Sequence, residues 1–255
     1  MINSKRYKIV IFFIGFVCLW KYVSADEKHI EQAIIASLAG ESLLLDADIK
    51  YGLIVIVGER GHILYTNDSK NWTQALVNSR ATLTAVYLLD NKTGWAAGHD
   101  AVIVRTRDGG KTWQKVFSAI DEEAPFLDIL FKDALNGIAI GAYGLYYITK
   151  DGGSSWQKSE LILHEDAVKD ENDIEAFNDI YDLHLNGISK ASDQRYYIVA
   201  EAGYLFRSDD GAKTWINLPS PYHGSFFGIH VISENELFVY GLRGNLYRSL
   251  DAGES

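Results

Sequence analysis

Five aspartates, Asp68, Asp108, Asp151, Asp210 and Asp251, recur at one place in a short repeated pattern. Carboxylates serve as general acids, bases and nucleophiles in hydrolysis, so such a set invites a catalytic reading. The pattern argues otherwise. It runs Thr66-x-Asp68-x-x-x-Trp72, Thr106-x-Asp108-x-Gly110-x-Thr112-Trp113, Thr149-x-Asp151-x-Gly153-x-Ser155-Trp156, Ser208-x-Asp210-x-x-x-Thr214-Trp215 and Ser249-x-Asp251-x-Gly253-x-Ser255. A catalytic acid is needed once, whereas an aspartate placed identically in every copy suits a structural turn. The seven histidines, His29, His62, His99, His164, His184, His223 and His230, show no i, i+4 or alternate-strand pair of the kind that holds zinc. His62 and His99 lie in neighbouring turns and are the one pair with a route to convergence. Cys18 is the single cysteine and lies near the N-terminus, so neither a disulfide nor a thiolate metal site is expected. No catalytic residue, metal or cofactor is therefore expected.

What remains is recognition chemistry. A second set of turns carries Glu59-Arg60, His99-Asp100, Ala142-Tyr143, Glu201-Ala202 and Leu242-Arg243, flanked by Gly or another small residue. A scaffold that keeps its backbone and varies the exposed residue presents a binding surface. The starts of the neighbouring strands, with Asp128, His184, Tyr222, Phe226 and Phe227, share that face. The candidate binding set is Glu59, Arg60, His62, His99, Asp100, Asp128, Tyr143, His184, Glu201, Phe226, Phe227 and Arg243. Arginine and aromatic residues within it are common interface anchors.

The elements that position these turns are short strands. Each aspartate pattern follows an apolar, β-branched or aromatic run: Ile63–Thr66, Val102–Thr106, Tyr146–Thr149, Tyr204–Ser208 and Leu246–Ser249. Each run follows another across a small-residue turn, as Leu53–Gly58 does in the first copy. That copy is expected to use Ser42–Asp48, Leu53–Gly58, His62–Thr66 and Trp72–Val77 as four strands. The tryptophans Trp72, Trp113, Trp156 and Trp215 are spaced by 41, 43 and 59 residues. Four strands at this period are the signature of a propeller blade. The fold class is all-β: a β-propeller of about five four-stranded blades over residues 42–255. In each blade the tryptophan is expected to pack over its hairpin and into the gap between neighbouring sheets. The fifth copy stops before its tryptophan, which reads as the front part of a longer ring.

Residues 1–25 read as a secretory signal: Lys5, Arg6 and Lys8, an apolar stretch from Ile9 to Trp20, and a small-residue cleavage site at Val23-Ser24-Ala25. An uncleaved anchor is the alternative. Residues 26–41 form a lead-in, helical or irregular, expected to pack on the propeller edge. The stretch Ser159–Asp182 holds nine acidic residues and accounts for the long spacing as a solvated insertion. Loss of the signal's basic residues takes the formal net charge from −10 to −14. Such an acidic chain is not expected to bind nucleic acid or anionic membrane, although a local basic patch stays possible.

The repeated pattern resembles the Asp-box, or bacterial neuraminidase repeat. Further stretches narrow the resemblance: Ser42–Asp46, Val57–Leu64, Gly141–Gly144, Tyr222–Gly228 and Gly241–Leu246. Together they look like the non-photosynthetic, exported bacterial propellers related to the photosystem II stability and assembly factor. The resemblance covers about residues 40–255 and implies seven blades in a full ring, a periplasmic location after signal cleavage, and neighbourhood to resistance–nodulation–division type exporters. The implied function is a non-catalytic, protein-binding scaffold or stability factor for an envelope membrane complex, plausibly an exporter. Photosynthetic relatives are described as using a basic patch. Here no arginine run exists, and Arg105, Arg107, Arg207 and Arg248 fall on third strands, where blade-to-blade bonds are expected. The alternative is a carbohydrate-binding or sialidase-like propeller, although the arginine cluster and Arg-Ile-Pro motif of sialidases are not evident. A carrier with a small molecule or pigment in the central channel is a third reading.

Overall fold

The computed structural model describes residues 32–164 and 182–255. The signal segment and most of the acidic insertion lie outside these residues. Five small antiparallel sheets stand in a ring. Blade one contains β1 (Leu44–Lys50), β2 (Leu53–Gly58), β3 (Ile63–Thr66) and β4 (Thr73–Gln74). A short β5 (Leu76–Val77) then leaves it and pairs in parallel with β9 of blade two. Blade two is β6 (Leu83–Leu88), β7 (Gly94–Gly98), β8 (Ile103–Thr106) and β9 (Thr112–Phe117). Blade three is β10 (Phe126–Phe131), β11 (Gly137–Gly141), β12 (Tyr146–Thr149) and β13 (Gln157–Lys158). Blade four is β14 (Leu185–Lys190), β15 (Tyr196–Ala200), β16 (Leu205–Ser208) and β17 (Ile216–Asn217). Blade five has β18 (Phe226–Val231), β19 (Leu237–Gly241) and β20 (Leu246–Ser249). The expected single strand Trp72–Val77 is thus two, because Ala75 N–H bonds to Ile63 while Leu76 and Asn78 bond to Lys111 and Trp113 of the next blade. The described part of the lead-in is irregular with one 3-10 turn, Ala39–Glu41. It is tied to the blade edge by Ala33 N–H to Val77 O and by Gln74, whose amide bonds Ile34 O.

The burial of second strands follows from stacking. In β7, β11 and β15 every residue is buried, since a neighbouring blade covers each face. In β2 and β19, on blades one and five, buried residues alternate with partly buried or exposed ones, so one face of each stays open. The apolar core consequently lies between blades. Val55 and Val57 meet Val86, Val104 and Trp113; Trp95 and Ile103 meet Phe126, Phe131 and Trp156. Ile138 and Tyr146 meet Leu185, Phe206 and Trp215; Tyr197 and Val199 meet Phe226, Leu237 and Val239. Trp95 stacks on Phe131 at 3.5 Å between ring centres.

Polar hooks on the first strands lock successive blades. Asp46 and Asp48 accept the Val86 and Leu88 amides at 2.8 and 2.6 Å. Thr84 donates to Phe126 O at 2.6 Å and Tyr87 to Phe131 O at 2.8 Å. Asp128 accepts Ile188 N–H at 2.8 Å, and Asn186 donates to Phe226 O at 2.8 Å. On blade five the positions of Asn186 and Asp128 hold Phe227 and Gly228, neither of which can make such a bond, and the position of Asp48 and Tyr87 holds His230.

Candidate functional site

The aspartate turns build from local hydrogen bonds. Thr106 Oγ1 donates to Asp108 Oδ1 at 2.9 Å and accepts Gly110 N–H at 3.1 Å. Asp108 in turn accepts Lys111 N–H, Thr112 N–H and the Thr112 hydroxyl. The same network surrounds Asp151, Asp210 and Asp251. These bonds satisfy the charge of each carboxylate and hold it low: Asp151 falls to about 2, chiefly through the Ser155 hydroxyl and amide. Asp251 falls to about 2 through Ser255 and Ser249. At Asp210 burial pushes upward, but the Thr214 and Ser208 bonds overcome it and leave about 2. A carboxylate so occupied and so acidic has no proton to give at neutral pH.

Trp113, Trp156 and Trp215 are buried between blades, whereas Trp72 is 41% exposed. The first pattern is one residue shorter, so Asn71 Nδ2 takes the place of the hydroxyl on Asp68 and the indole that follows is turned outward. There it lines a cleft together with Ala36 and Ala39 of the lead-in and Leu64 of β3. The inter-blade expectation for Trp72 is corrected accordingly.

At the opposite ends of the second strands five matching turns project. Each places a non-glycine tip residue in the left-handed region: Arg60 (φ 57°), Asp100 (58°), Tyr143 (54°), Ala202 (55°) and Arg243 (63°); in blade two Ala101 follows at φ 44°, where the other turns have Gly. The residue before each tip donates its N–H to the residue that precedes its blade's first strand: Glu59 to Leu43, His99 to Thr82, Ala142 to Pro125, Glu201 to His184 and Leu242 to Ser225. Gly58 is required by that approach, since a Cβ there would lie 2.1 Å from Leu43 O. Five registered bonds thus fix five tips of different chemistry: two guanidiniums, a carboxylate, a phenol and a methyl. Tyr143 is 65% exposed and meets the His184 ring edge-on at 4.8 Å. Glu201 steadies that corner by accepting His184 N–H at 2.9 Å. Glu59 accepts Leu43 N–H at 3.3 Å beside Arg60.

Three members of the candidate set do not stand on this exposed face. His62 is buried, its Nδ1 3.0 Å from the Ser42 hydroxyl, and burial lowers its pKa. It lies beyond the turn while His99 lies before the tip, so the two do not converge. Phe226 is fully buried in the blade-four/blade-five core, while Phe227 beside it is 54% exposed. Asp128 faces the axial channel as an inter-blade hook. Burial, then the nearby Asp46, raises it to about 7 against the bond from Ile188.

The channel has a volume of about 470 Å³ and is walled by first strands of all five blades, including Asp46, Asp48, Asp128 and Asn186. Its acidic lining does not suit an apolar ligand. Among the described residues no group of three or more metal-ligating side chains is assembled. Sequence reasoning missed the hooks, because a first-strand aspartate reads as an ordinary outward residue until the neighbouring blade is in place. Arg107 falls one residue beyond β8, and the three arginines that do stand on third strands divide three ways. Arg207 bonds Ala252 O and Glu254 of blade five, Arg105 lies 5.0 Å over the Trp95 ring, and Arg248 pairs with Glu236 in its own blade.

No curated protein matches the chain. A solved structure of YCF48 bound to D1 peptide aligns at 16% identity over 82% of this chain and 93% of the other, with a TM-score of 0.42. YCF48 from Cyanidioschyzon merolae aligns at 16% identity over 86% of this chain and 98% of the other, with a TM-score of 0.41. The WD40 β-propeller domain of Doa1 aligns at 10% identity over 88% of this chain and 68% of the other, with a TM-score of 0.58, a likeness of fold. The family described as photosynthesis system II assembly factor YCF48 matches residues 117–254. That match spans more than half of the sequence and three of the blades just described, and the chain belongs to the YCF48 assembly-factor family.

Proposed function

We propose that this propeller is a non-catalytic protein-binding scaffold, an assembly or stability factor for a membrane protein complex of the cell envelope, acting from the periplasm after signal cleavage. The observation that carries the reading is the ring of five left-handed tips. A non-glycine residue in that region is strained by about 1 kcal/mol or more. Keeping a side chain at each tip, and changing it from blade to blade, is worth that cost where the side chains are used. Arg60, Tyr143 with His184, and Arg243 are the anchors; Asp100 and Phe227 supply further contact. The family's assembly role supports a protein partner, and the basic n-region with its apolar stretch supports export. An exporter of the resistance–nodulation–division type is the envelope complex this reading favours.

The test is a crosslinked affinity purification of the mature protein from its own envelope, read by mass spectrometry. One membrane complex is expected, recovered at least tenfold less with the Arg60→Ala/Tyr143→Ala/Arg243→Ala variant. Equal recovery by the variant, or recovery of no specific protein, sinks the reading.

A further inference from the structure

The outer rim of blade one carries a surface of different character from the tip face. The lead-in runs along it as a strap. Arg80 donates to Gln32 O at 2.9 Å, and Ala33 N–H to Val77 O at 2.9 Å. Gln74 donates to Ile34 O at 3.0 Å and accepts Ala36 N–H at 2.8 Å. These contacts use four of the strap's backbone groups, so what it presents outward is side chain. Ile34, Ile35 and Leu38 are each at least 56% exposed, as is Leu76 of β5. The partly exposed Trp72 shares a cleft with the strap. Large apolar side chains gathered on one exposed rim mark a contact with a protein or a membrane.

The border of this patch is that of a lipid interface. Lys70 precedes Trp72 by two residues, and Lys111 O accepts Leu76 N–H, which brings a second lysine to the same edge. Both lysines are exposed, and neither has an ion-pair partner among the described residues. The neighbouring carboxylates, Asp68 and Asp108, accept N–H groups of their own turns. At a headgroup boundary an indole and ammonium groups meet phosphates while aliphatic side chains reach the acyl chains. The path of the chain points the same way. It enters the described structure at Gln32, on this rim, and residues 21–31 separate that point from Trp20, where the apolar stretch ends. A link of that length reaches at most about 40 Å, so an apolar stretch held in a bilayer keeps this rim at its surface. A chain of formal net charge −10 is repelled by anionic headgroups, which leaves a neutral bilayer as the matching surface.

We propose that the strap and outer rim of blade one dock on the surface of a zwitterionic bilayer, with Ile34, Ile35, Leu38, Trp72 and Leu76 in contact with lipid. Fourth strands are the outermost of each blade and first strands line the channel. Docking by this rim therefore lays the channel axis along the membrane plane and turns the tip face sideways, towards a neighbour in the same membrane. The docking residues are separate from the tips, so lipid contact does not depend on what the tips bind.

Flotation of the mature protein with vesicles of phosphatidylcholine and phosphatidylethanolamine, free of any other protein, tests this. About half of the protein is expected to float at about 1 mM lipid. Ile34→Asn/Ile35→Asn/Leu38→Asn should lower the bound-to-free ratio about tenfold or more. Tyr240→Asn/Leu246→Asn, which removes exposed apolar side chains from blade five, should leave it unchanged. The Arg60→Ala/Tyr143→Ala/Arg243→Ala variant should also float like wild type, which separates this outcome from that of partner capture. Residues 26–255 contain no cysteine, so Leu38→Cys and Phe227→Cys each supply one site for an environment-sensitive fluorophore. The label on the strap should shift to the blue on vesicles, and the label on the tip face should not. Circular dichroism melts verify that each variant is folded. No flotation at about 10 mM lipid, equal loss with the blade-five pair, or a blue shift on the tip face instead of the strap overturns the proposal. So does a dimer in sedimentation that the strap variant dissociates, since the rim would then be covered by a second copy.

Discussion

Trp72 and Trp113 occupy the same place in successive repeats, yet one is 41% exposed and the other fully buried. The difference predicts their energetics. Trp113→Ala should lower unfolding free energy by about 3–5 kcal/mol, through lost burial and the cavity left behind. Trp72→Ala should cost only about 1–2 kcal/mol. Urea denaturation of both variants checks this, and equal losses would contradict it. Titration behaviour is also set residue by residue. Asp128 is raised to about 7 in the folded state, with Asp46 and Asp48 facing it across the channel. The folded protein therefore holds a proton that the unfolded chain releases near pH 4. Its contribution to stability is greatest below about pH 4 and declines as pH rises towards and past 7. Asp128→Asn keeps an oxygen for Ile188 N–H and removes the charge. It should raise the melting temperature by about 2–4 °C at pH 8 and by nothing measurable at pH 4. Asp151 and Asp251 have the opposite sign, since both lie near 2. Their contribution is complete above about pH 4 and is lost as pH falls towards 2. A melting temperature for Asp128→Asn that runs parallel to wild type across pH would refute the channel argument.

At the scale of elements, the tight turn after each second strand sets a trade between strain and display. Ala202→Gly and Arg60→Gly both relieve a left-handed backbone, and each should add up to about 1 kcal/mol to stability. Arg60→Gly should also weaken partner capture, whereas Ala202→Gly should leave it intact. Parallel melts and affinity recoveries separate the two effects; loss of capture by both variants would make the backbone, not the side chain, the binding feature. These turns were legible in the sequence because a repeated small residue flanks a changing one. The strands were legible for the same reason, as β-branched and aromatic runs recur at one period. The strand boundary at Ala75 was not, because β5 pairs with β9 of another blade and no local pattern marks the crossing. Nor was the burial of His62 and Phe226 legible. Phe226 sits next to exposed Phe227, where a one-residue shift decides which side chain faces in, and His62 follows the exposed tip Arg60 by only two residues.

Across the whole molecule, the hooks and the inter-blade cores are distributed unevenly, and that should govern how the ring opens. Blades two, three and four each have a neighbour on both faces and a polar hook to each neighbour. Blades one and five each present one open face, where Leu45, Ile49, Tyr240 and Leu246 are exposed. In a quasi-one-dimensional stack, stability is close to a sum of blade and interface contributions, so a blade with one interface frays before a blade with two. Hydrogen exchange followed by mass spectrometry should therefore show β18–β20 and β1 exchanging first, and β7, β11 and β15 last. Asn186→Leu removes the hook to Phe226 O without emptying the core. It should speed exchange in β18 and β19 about fivefold to tenfold while leaving β7 unchanged. Uniform exchange across the five blades would mean that the ring opens as a single cooperative unit, and that the hooks do not set its order of opening.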